Sequence, residues 1–537
     1  MAKKSFVKGA AVLAAAGLIS KFIGAMFRIP LTNLIGSAGM SSYQMAYPIY
    51  SFLLIASTAG IPTAISKMVS ENLALGNYRD AHRVFLLSVR IMLVIGLSTF
   101  LVFAAGSKLI ARIQGVEEAF YSILAIAPSL IFVTLISSYR GYFQGMQYMT
   151  PTALSQLIEQ SGKLVLGLWF AALLLPRGPE FGAAGAVIGV TLSEGLALAF
   201  LMGMYKRRKE EIHHNIRTAP RPRYRVSNAS ILRRLIMIAF PITIGASIMP
   251  LIGVGDALIV VNRLKQTGLD EEYAKSLYGL LTGSANPLIN FPAVLTIALA
   301  MSLVPAISES FASRDFAGIR QKTETGIRLT LLLGLPAAAG MGVLARPICA
   351  LLYSRGLSEA EITTTGEILA ILSIGVIFLT LIQTLTAILQ GMDRMSIPVR
   401  NLAVGALFKI AATYVLVGIP EINVKGAAIG TVICYAVAAF LDLAAVIHYS
   451  RLSIKFMDYF LKPVAAVAVM ALSVHYAYGK LEGLAGSNKA TLLSVAAGIA
   501  VYGIVLIAIG AVRQHDFEML PGGRKLGKVL ARLKLIK

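Results

Sequence analysis

Apolar residues fill this chain in long blocks that are separated by short polar links. A helix that crosses a membrane needs about 20 mostly apolar residues. With a window of that length, the sequence predicts fourteen spans, near residues 8–30, 46–66, 84–106, 121–143, 152–175, 183–205, 231–256, 278–304, 326–347, 367–390, 398–418, 426–448, 458–478 and 490–512. The pattern therefore predicts an all-α polytopic membrane protein.

One apolar stretch occurs twice. Residues 131–149, IFVTLISSYRGYFQGMQYM, return 246 residues later as IFLTLIQTLTAILQGMDRM, with nine of nineteen positions identical. Each copy contains Gln-Gly-Met and is followed by a proline, Pro151 in the first and Pro398 in the second. Internal similarity of this kind indicates a parallel repeat. We therefore expect two six-helix lobes followed by two C-terminal helices.

This organisation gives five predicted regions. They are an N-terminal lobe at 1–205, a basic cytoplasmic linker at 206–230, a C-terminal lobe at 231–450, spans thirteen and fourteen at 451–512, and a tail at 513–537. In the tail, leucines lie on one helical face and basic residues elsewhere, which is typical of an amphipathic helix that lies in the membrane interface.

Composition supports a membrane protein and fixes its orientation. Hydrophobic residues make up 57% of the chain and charged residues only 14%, whereas soluble domains carry about 25% charged residues. The net charge is +23, and residues 206–234 alone hold ten Lys or Arg against two Glu. Lys and Arg concentrate on cytoplasmic links, so both termini are predicted to be cytoplasmic. Topology accounts for this charge, which indicates anionic membrane lipids as partners and not nucleic acid.

The sequence offers no pattern for catalysis or metal binding. Cys349 and Cys434 lie in or beside predicted spans without metal-ligand spacing, which argues against a disulfide framework and against a zinc site. There is also no nucleotide-binding glycine loop and no nucleophile paired with a base. We therefore expect no enzyme activity, no catalytic residues, no metal and no cofactor.

Two cations lie inside the first span. Lys21 and Arg28 are seven residues apart, which places them within about 20° of each other on one helical face. A cation at the centre of a span costs roughly 2.5–3.5 kcal/mol on insertion scales, so it usually faces a bundle interior or a wet cavity. The alternative for Arg28 is that its side chain extends to the membrane interface.

Further charges lie in spans five, six and eleven. Glu159 and Lys163 have the i, i+4 spacing of a helical ion pair. With the repeat offset of 246, Lys163 corresponds to Lys409 in the middle of span eleven. A lysine at the same depth in both halves favours a lining of the cavity over a buried structural pair. Glu194 in span six is a further candidate for an ion pair or for a coupling ion.

The seventh span carries two candidates of opposite charge. Asp256 and Arg263 are seven residues apart and share a face if the helix continues. Asp256 could bind a coupling cation, pair with Lys409, or lie at the outer interface.

Three segments resemble a known family. They are SKFIGAMFRIPLTNLIGSAGM, GIPTAISKMVSE and YRGYFQGMQYMTPTALSQLIEQ. The chain resembles the multidrug/oligosaccharidyl-lipid/polysaccharide exporter superfamily, in the branch that includes stage V sporulation protein B and the lipid II flippases of peptidoglycan synthesis. The resemblance covers essentially the whole chain. It implies fourteen helices, two six-helix lobes around a central cavity, and alternating access in the cytoplasmic membrane of a bacterium.

The resemblance also implies that basic residues of span one contact a pyrophosphate. Lys21 matches one such position directly, and Arg28 matches the next with a shift of one residue. In span eight the lipid II flippases have an arginine where this chain has Pro287. This departure shifts the expected contacts toward other cations, which are Lys163, Lys409 and Arg263.

These observations together predict a flippase for a polyprenyl-pyrophosphate-linked sugar, with lipid II as the first expectation. Membrane potential, H⁺ or Na⁺ could drive the outward step, and cell-wall synthesis proteins are possible partners. A cation-coupled drug antiporter of the same fold is one alternative, although such a protein needs acids to dominate its cavity. A non-transporting scaffold for cell-wall or sporulation enzymes is another, although a scaffold has no need of buried cations.

Overall fold

The fold was analysed in a computed structural model that describes residues 2–218, 227–450 and 461–510. Within those ranges the chain forms helices joined by short turns and contains no β-strand. The helices are α1 Ala2–Thr58, α2 Ile61–Ala74, α3 Tyr78–Gln114, α4 Ala119–Ile126, α5 Ser129–Gly145, α6 Thr150–Leu174, α7 Pro179–Thr218, α8 Asn228–Gln266, α9 Glu271–Gly279, α10 Asn286–Ala312, α11 Phe316–Val343, α12 Ala345–Tyr353, α13 Glu359–Gly391, α14 Ser396–Val417, α15 Lys425–Ser450, α16 Lys462–Ala485 and α17 Ser487–Ala508. A π-helical segment, Leu280–Ala285, joins α9 to α10. The all-α prediction is confirmed.

The described residues include 12 helical segments that are long and apolar enough to cross a membrane, or up to 13 if one bent pair is a single span. The bent pair, Glu271–Val294 with Leu299–Ala312, turns by 44°. One segment, Ala15–Ala74, covers both the first and the second predicted span. A multi-pass membrane protein is therefore confirmed, and the number fourteen stays a prediction.

A sharp bend at Gly36 divides α1 into two arms. Gly36 has φ 67° and ψ −173°, a combination that is essentially restricted to glycine. In a straight helix, residues 28 and 47 would be about 28 Å apart along the axis. The Arg28 guanidinium instead lies 5.7 Å from the centre of the Tyr47 ring. The two arms of α1 are thus brought together, and their inner faces form one surface.

The chain divides into two compact units. The first comprises Met1–Asn262 with Asp270–Gly279, and the second comprises Arg263–Leu269 with Leu280–Lys537. Most of α8 therefore belongs to the first unit, although the seventh predicted span was assigned to the C-terminal lobe at 231–450. Contacts of α8 explain this placement, since Arg234 pairs with Glu71 at 2.6 Å and Asn262 donates to the Ile113 carbonyl at 2.8 Å.

The predicted repeat is visible in the backbone. Helix α5 ends at Gly145 and α13 at Gly391, which preserves the offset of 246. Two residues beyond each end, Gln147 and Asp393 adopt left-handed φ values of 56° and 61°. The backbone amide of the next residue then bonds back to the helix, from Tyr148 to the Phe143 carbonyl at 2.9 Å and from Arg394 to the Leu389 carbonyl at 2.8 Å. Both copies therefore form the same turn from different side chains.

The repeat predicts matched effects of substitution at its two glycines. A Cβ on Gly145 would lie 2.7 Å from the Cβ of Val69, and one on Gly391 would lie 2.9 Å from the Cβ of Ile307. We expect Gly145→Ala and Gly391→Ala each to destabilise the protein by about 1–3 kcal/mol, because neither helix can move away freely. Thermal unfolding in detergent checks this prediction. Gly203→Ala is the control, since no atom lies within 4 Å of its added Cβ; equal melting temperatures for all three variants would contradict the prediction.

Helix α7 extends beyond the sixth predicted span. That span was predicted to end near residue 205, but the helix continues to Thr218 and buries Ile212 against the core of the first unit. The first part of the predicted linker is therefore helical. Residues 219–226 and the predicted amphipathic tail at 513–537 lie outside the described residues.

Within residues 461–510, two helices follow the repeat, as predicted. Helices α16 and α17 pack on each other and on the other helices of the second unit, where Met470 and Val474 contact Leu344. The Tyr502 hydroxyl donates to the Leu332 carbonyl at 2.9 Å and joins α17 to α11.

Candidate functional site

The first arm of α1 carries two of the predicted cations and packs on α6. A Cβ on Gly24 would lie 2.9 Å from the side-chain oxygen of Gln160, which shows how closely the helices approach. Lys21, one turn earlier, is exposed, whereas Arg28 is half-buried. The two residues therefore occupy different depths beside the same helix pair.

Lys163 is the most enclosed of the candidate cations in the first unit. Only 7% of the residue is exposed. Its ammonium lies 5.2 Å from the centre of the Phe27 ring and 5.0 Å from that of Tyr47, and it donates to the Tyr47 hydroxyl at 3.1 Å. Aromatic faces attract a cation strongly where water is excluded, so these rings help to stabilise the buried charge.

Arg28 and Lys163 share the ring of Tyr47. The guanidinium lies 5.7 Å from the ring centre, on a side chain from the opposite arm of the Gly36 bend. The two cations repel each other electrostatically. A bound anion would relieve this repulsion, and guanidinium and ammonium groups form their strongest hydrogen bonds with phosphate and carboxylate oxygens. The arrangement is suited to binding an anion.

Glu159 does not pair with Lys163, which was the alternative that their spacing left open beside a lining of the cavity. Glu159 instead pairs with Arg140 of α5 at 2.9 Å and accepts a hydrogen bond from Gln160 at 3.2 Å. Arg140 also donates to the Ser155 hydroxyl at 2.9 Å. Tertiary packing supplies Glu159 with a guanidinium that donates to it directly, and Lys163, one turn later on the same helix, bonds to Tyr47 instead.

Glu194 of α7 lies at the level of Lys163. The carboxylate accepts a hydrogen bond from the Tyr50 hydroxyl at 2.8 Å, and the residue is 4% exposed. Helices α6 and α7 pack closely next to these two residues, because a Cβ on Gly162 of α6 would lie 2.7 Å from the Cβ of Ser193 of α7. A buried acid and a buried lysine therefore lie on two helices that pack closely on each other.

The second unit contains the repeat partner of Lys163. Lys163 and Lys409 are each the fourteenth residue of their helices, α6 and α14, and Lys409 is 5% exposed. A Cβ on Gly430 of α15 would lie 3.2 Å from the Lys409 carbonyl, so this helix pair is also closely packed. The equivalent position and burial of the two lysines follow the predicted register.

Arg263 and Asp256 lie in different units. Arg263 packs its guanidinium 4.5 Å from the centre of the Tyr414 ring and donates to the Tyr414 carbonyl at 3.1 Å. Asp256 is half-buried in α8 of the first unit, whereas Lys409 belongs to the second unit. A pair between Asp256 and Lys409, or a cation on Asp256, stays a prediction.

Sequence reasoning missed the aromatic residues around Lys163. Tyr43, Tyr47 and Tyr50 have the i, i+4, i+7 spacing of one helical face. The Tyr43 and Tyr47 rings are stacked with centres 5.7 Å apart, and those of Tyr47 and Tyr50 are 5.9 Å apart. This spacing could have indicated the face, although apolar helices use the same spacing for ordinary packing.

A cavity in the first unit, of about 400 Å³, is lined mainly by acidic side chains. It is lined by Ala38, Ser42, Glu118, Pro179, Glu180, Asp270, Glu271, Glu272 and Lys275. Lys275 bonds to Glu118 at 2.7 Å and to Glu271 at 2.8 Å. Partial burial alone would raise the pKa of the Glu118 carboxyl, but the hydrogen bond and the charge of Lys275, together with a backbone hydrogen bond, lower the pKa overall. In the described ranges, no group of three His, Cys, Asp or Glu residues could hold a metal ion.

Known proteins resemble this chain over most of its length. A family model described as polysaccharide biosynthesis protein matches residues 6–311, and the MatE model matches residues 282–415. Stage V sporulation protein B of Bacillus subtilis (strain 168) is 28% identical over 97% of this chain and 98% of its own length. Lipid II flippase MurJ of the same organism is 24% identical, with coverages of 97% and 98%.

Solved structures show the same fold. A structure titled as lipid II flippase MurJ in an inward closed conformation aligns with a TM-score of 0.71 at 16% identity, covering 93% of this chain and 98% of its own. An inward-facing multidrug resistance MATE family transporter of the MOP superfamily aligns with a TM-score of 0.65 at 15% identity, with coverages of 80% and 94%. Since its family model spans more than half of the sequence, this chain belongs to the polysaccharide biosynthesis protein family, within the multidrug/oligosaccharidyl-lipid/polysaccharide (MOP) exporter superfamily of membrane transporters.

Proposed function

We propose that this protein is a flippase that moves a polyprenyl-pyrophosphate-linked sugar from the cytoplasmic to the outer leaflet of a bacterial cytoplasmic membrane by alternating access. The observation that carries the proposal is the pair of cations on one tyrosine ring, Arg28 at 5.7 Å and Lys163 at 5.0 Å. Holding two positive charges together inside an apolar bundle is costly. An anionic substrate that binds between the two cations would offset their repulsion, which explains why the fold holds them together.

The diphosphate is the part of such a lipid that this site suits. Its oxygens accept hydrogen bonds from the Lys163 ammonium and the Arg28 guanidinium, with Lys21 as an exposed first contact. The polyprenyl tail is apolar and needs only a lipid-facing surface. In the second unit, Lys409 stays a predicted ligand because it repeats the position of Lys163.

Among the lipid-linked sugars, we propose lipid II of peptidoglycan as the substrate. The relatives named lipid II flippase and stage V sporulation protein B, similar over nearly the whole chain, support this choice. Both termini are proposed to lie in the cytoplasm, because the basic links are concentrated on one side of the predicted topology.

A reconstituted assay tests the proposal. Purified full-length protein in liposomes should expose fluorescent lipid II on the opposite leaflet, where an added headgroup-cleaving reagent can reach it. We expect Lys21→Ala combined with Arg28→Ala to reduce the rate at least tenfold, because two contacts to the diphosphate are lost.

The assay also separates the alternatives. Lys480→Ala is the control, because Lys480 is an exposed lysine that lies 4.5 Å from the centre of the Tyr476 ring in the appended helices. Equal flipping rates for the double variant and the wild type would show that Lys21 and Arg28 do not contact the diphosphate. Flipping of a different polyprenyl-diphosphate sugar, but not of lipid II, would change only the proposed sugar.

A further inference from the structure

Tyr47 contacts both cations of the candidate site. The centre of its ring lies 5.0 Å from the Lys163 ammonium and 5.7 Å from the Arg28 guanidinium. Its hydroxyl oxygen accepts a hydrogen bond from the same ammonium at 3.1 Å. The ring and the hydroxyl of one residue therefore both act on the groups that the proposed function assigns to the diphosphate.

Two other tyrosines hold the Tyr47 ring in place. Tyr43 stacks on it with ring centres 5.7 Å apart, and Tyr50 packs edge-on with ring centres 5.9 Å apart. Both neighbours are almost completely buried, with exposures of 0% and 2%. The Tyr50 hydroxyl also donates to the Glu194 carboxyl group at 2.8 Å, which joins that ring to α7. The Tyr47 ring is thus held by packing, although the residue itself is only half-buried.

The ring supplies an attraction that keeps two like charges close together. The negative face of an aromatic ring attracts a cation, most strongly where water is excluded. Arg28 has an alternative, because its long side chain could extend to the membrane interface. Without the ring, repulsion from Lys163 would favour that alternative, and a ligand would then have to bring the guanidinium back. The ring therefore lowers the cost of ordering the site when the diphosphate binds.

The hydroxyl of Tyr47 adds a hydrogen-bond donor to the two cations. A phenol oxygen can accept one hydrogen bond and donate another. Because the oxygen accepts from Lys163, the proton of the hydroxyl points away from the ammonium. A diphosphate bound to that ammonium brings negatively charged oxygens next to the hydroxyl, and hydrogen bonds to such oxygens are strong.

We propose that Tyr47 is a substrate-binding and positioning residue. Its ring holds Arg28 and Lys163 ready for the diphosphate, and its hydroxyl donates a hydrogen bond of its own to a phosphate oxygen. The inference rests on the proposed function, because it names a further contact of the same site.

Binding of geranylgeranyl diphosphate to the full-length protein in lipid nanodiscs, measured by calorimetry, separates the two contributions. Tyr47→Phe keeps the ring and loses the hydroxyl, so we expect about tenfold weaker binding. Tyr47→Leu also loses the ring, so we expect about a further tenfold loss. Tyr476→Phe and Tyr476→Leu are the matched controls, since the Lys480 ammonium lies 4.5 Å from the centre of the Tyr476 ring in the appended helices. Both controls should bind the probe as wild type does.

Graded fluorination of the ring provides a measurement that packing alone would not change. Each fluorine on a phenylalanine ring withdraws electron density from the ring face and weakens its attraction for a cation, with little change in size. Phenylalanine and its mono-, di- and trifluorinated forms are inserted in place of Tyr47. We expect log Kd for the probe to rise in even steps with the number of fluorines. The same series in place of Tyr476 should leave the affinity constant.

The outcomes of these experiments distinguish this inference from the proposed function. A flat fluorine series would remove the positioning role of the ring, and wild-type affinity of Tyr47→Phe would remove the hydroxyl contact; either result overturns the inference. The proposed function would stand in both cases, provided that Lys163→Met binds the probe more weakly than wild type. If Lys163→Met binds the probe normally, the proposed function fails and this inference fails with it.

Discussion

Replacement of Lys163 by methionine is expected to abolish most transport while leaving the protein at least as stable as before. A hydrogen bond between an ammonium and a phosphate oxygen contributes about 1.5–3 kcal/mol. Its loss should weaken headgroup binding roughly 10- to 100-fold. Methionine has a similar length and suits the aromatic surroundings of Phe27 and Tyr47. Burial of the ammonium carries a desolvation cost that an apolar side chain of similar length does not have.

The two readouts together distinguish a substrate contact from a structural role. Flipping of fluorescent lipid II in liposomes should fall in Lys163→Met, and the melting temperature in detergent should stay constant or rise. Lys480→Met is the matched control, since Lys480 also lies over a tyrosine ring but in the appended helices. A Lys163→Met variant that transports normally, or one that loses transport only in proportion to lost stability, would contradict the assignment.

Substitution of Gly36 by alanine is expected to have the second largest effect, on both stability and transport. With φ 67° and ψ −173°, this position is essentially closed to residues with a Cβ. Holding alanine there costs about 1–3 kcal/mol. Relaxation of that strain would change the bend, and Tyr47 would then move relative to Arg28. The melting temperature and the flipping rate should fall together.

Gly17→Ala in the same helix is the control for that prediction. Its added Cβ has no atom within 4 Å, and its φ lies outside the left-handed region. Alanine is also a better helix former than glycine. We therefore expect unchanged transport and equal or higher stability for Gly17→Ala. A Gly36→Ala protein with wild-type behaviour would show that the bend does not depend on the backbone freedom of glycine.

Much of the fold could be predicted because a membrane-spanning helix is determined by its own consecutive residues. An apolar block of about 20 residues has few alternatives to a helix in lipid. The Gln-Gly-Met copies define an offset of 246, and that offset relates Lys409 to Lys163 from the sequence alone. Residues that correspond in the two copies are expected at the same position along their helices. Lys163 and Lys409 meet this expectation, because each is the fourteenth residue of its helix.

The partners of the charged side chains could not be predicted in the same way. Spacing along one helix left Lys163 as one alternative partner for Glu159, but Arg140 from another helix is the partner. The ring of Tyr47 reaches Lys163 only because the chain turns at Gly36, a residue that a window of apolar residues does not single out. Contacts between helices depend on packing, and the pattern along a single helix does not contain that information.

The turn that follows α5 and α13 also records how the two halves diverged. Main-chain hydrogen bonds close this turn in both copies, so the side chain at its left-handed position was under little constraint after an ancestral half was duplicated. That position is now Gln147 in one half and Asp393 in the other. The glycines two residues earlier had no such freedom, because each lies directly against a neighbouring helix. The same reasoning applies to function: both halves carry the lysine, Lys163 in one and Lys409 in the other, at the same position of their helices.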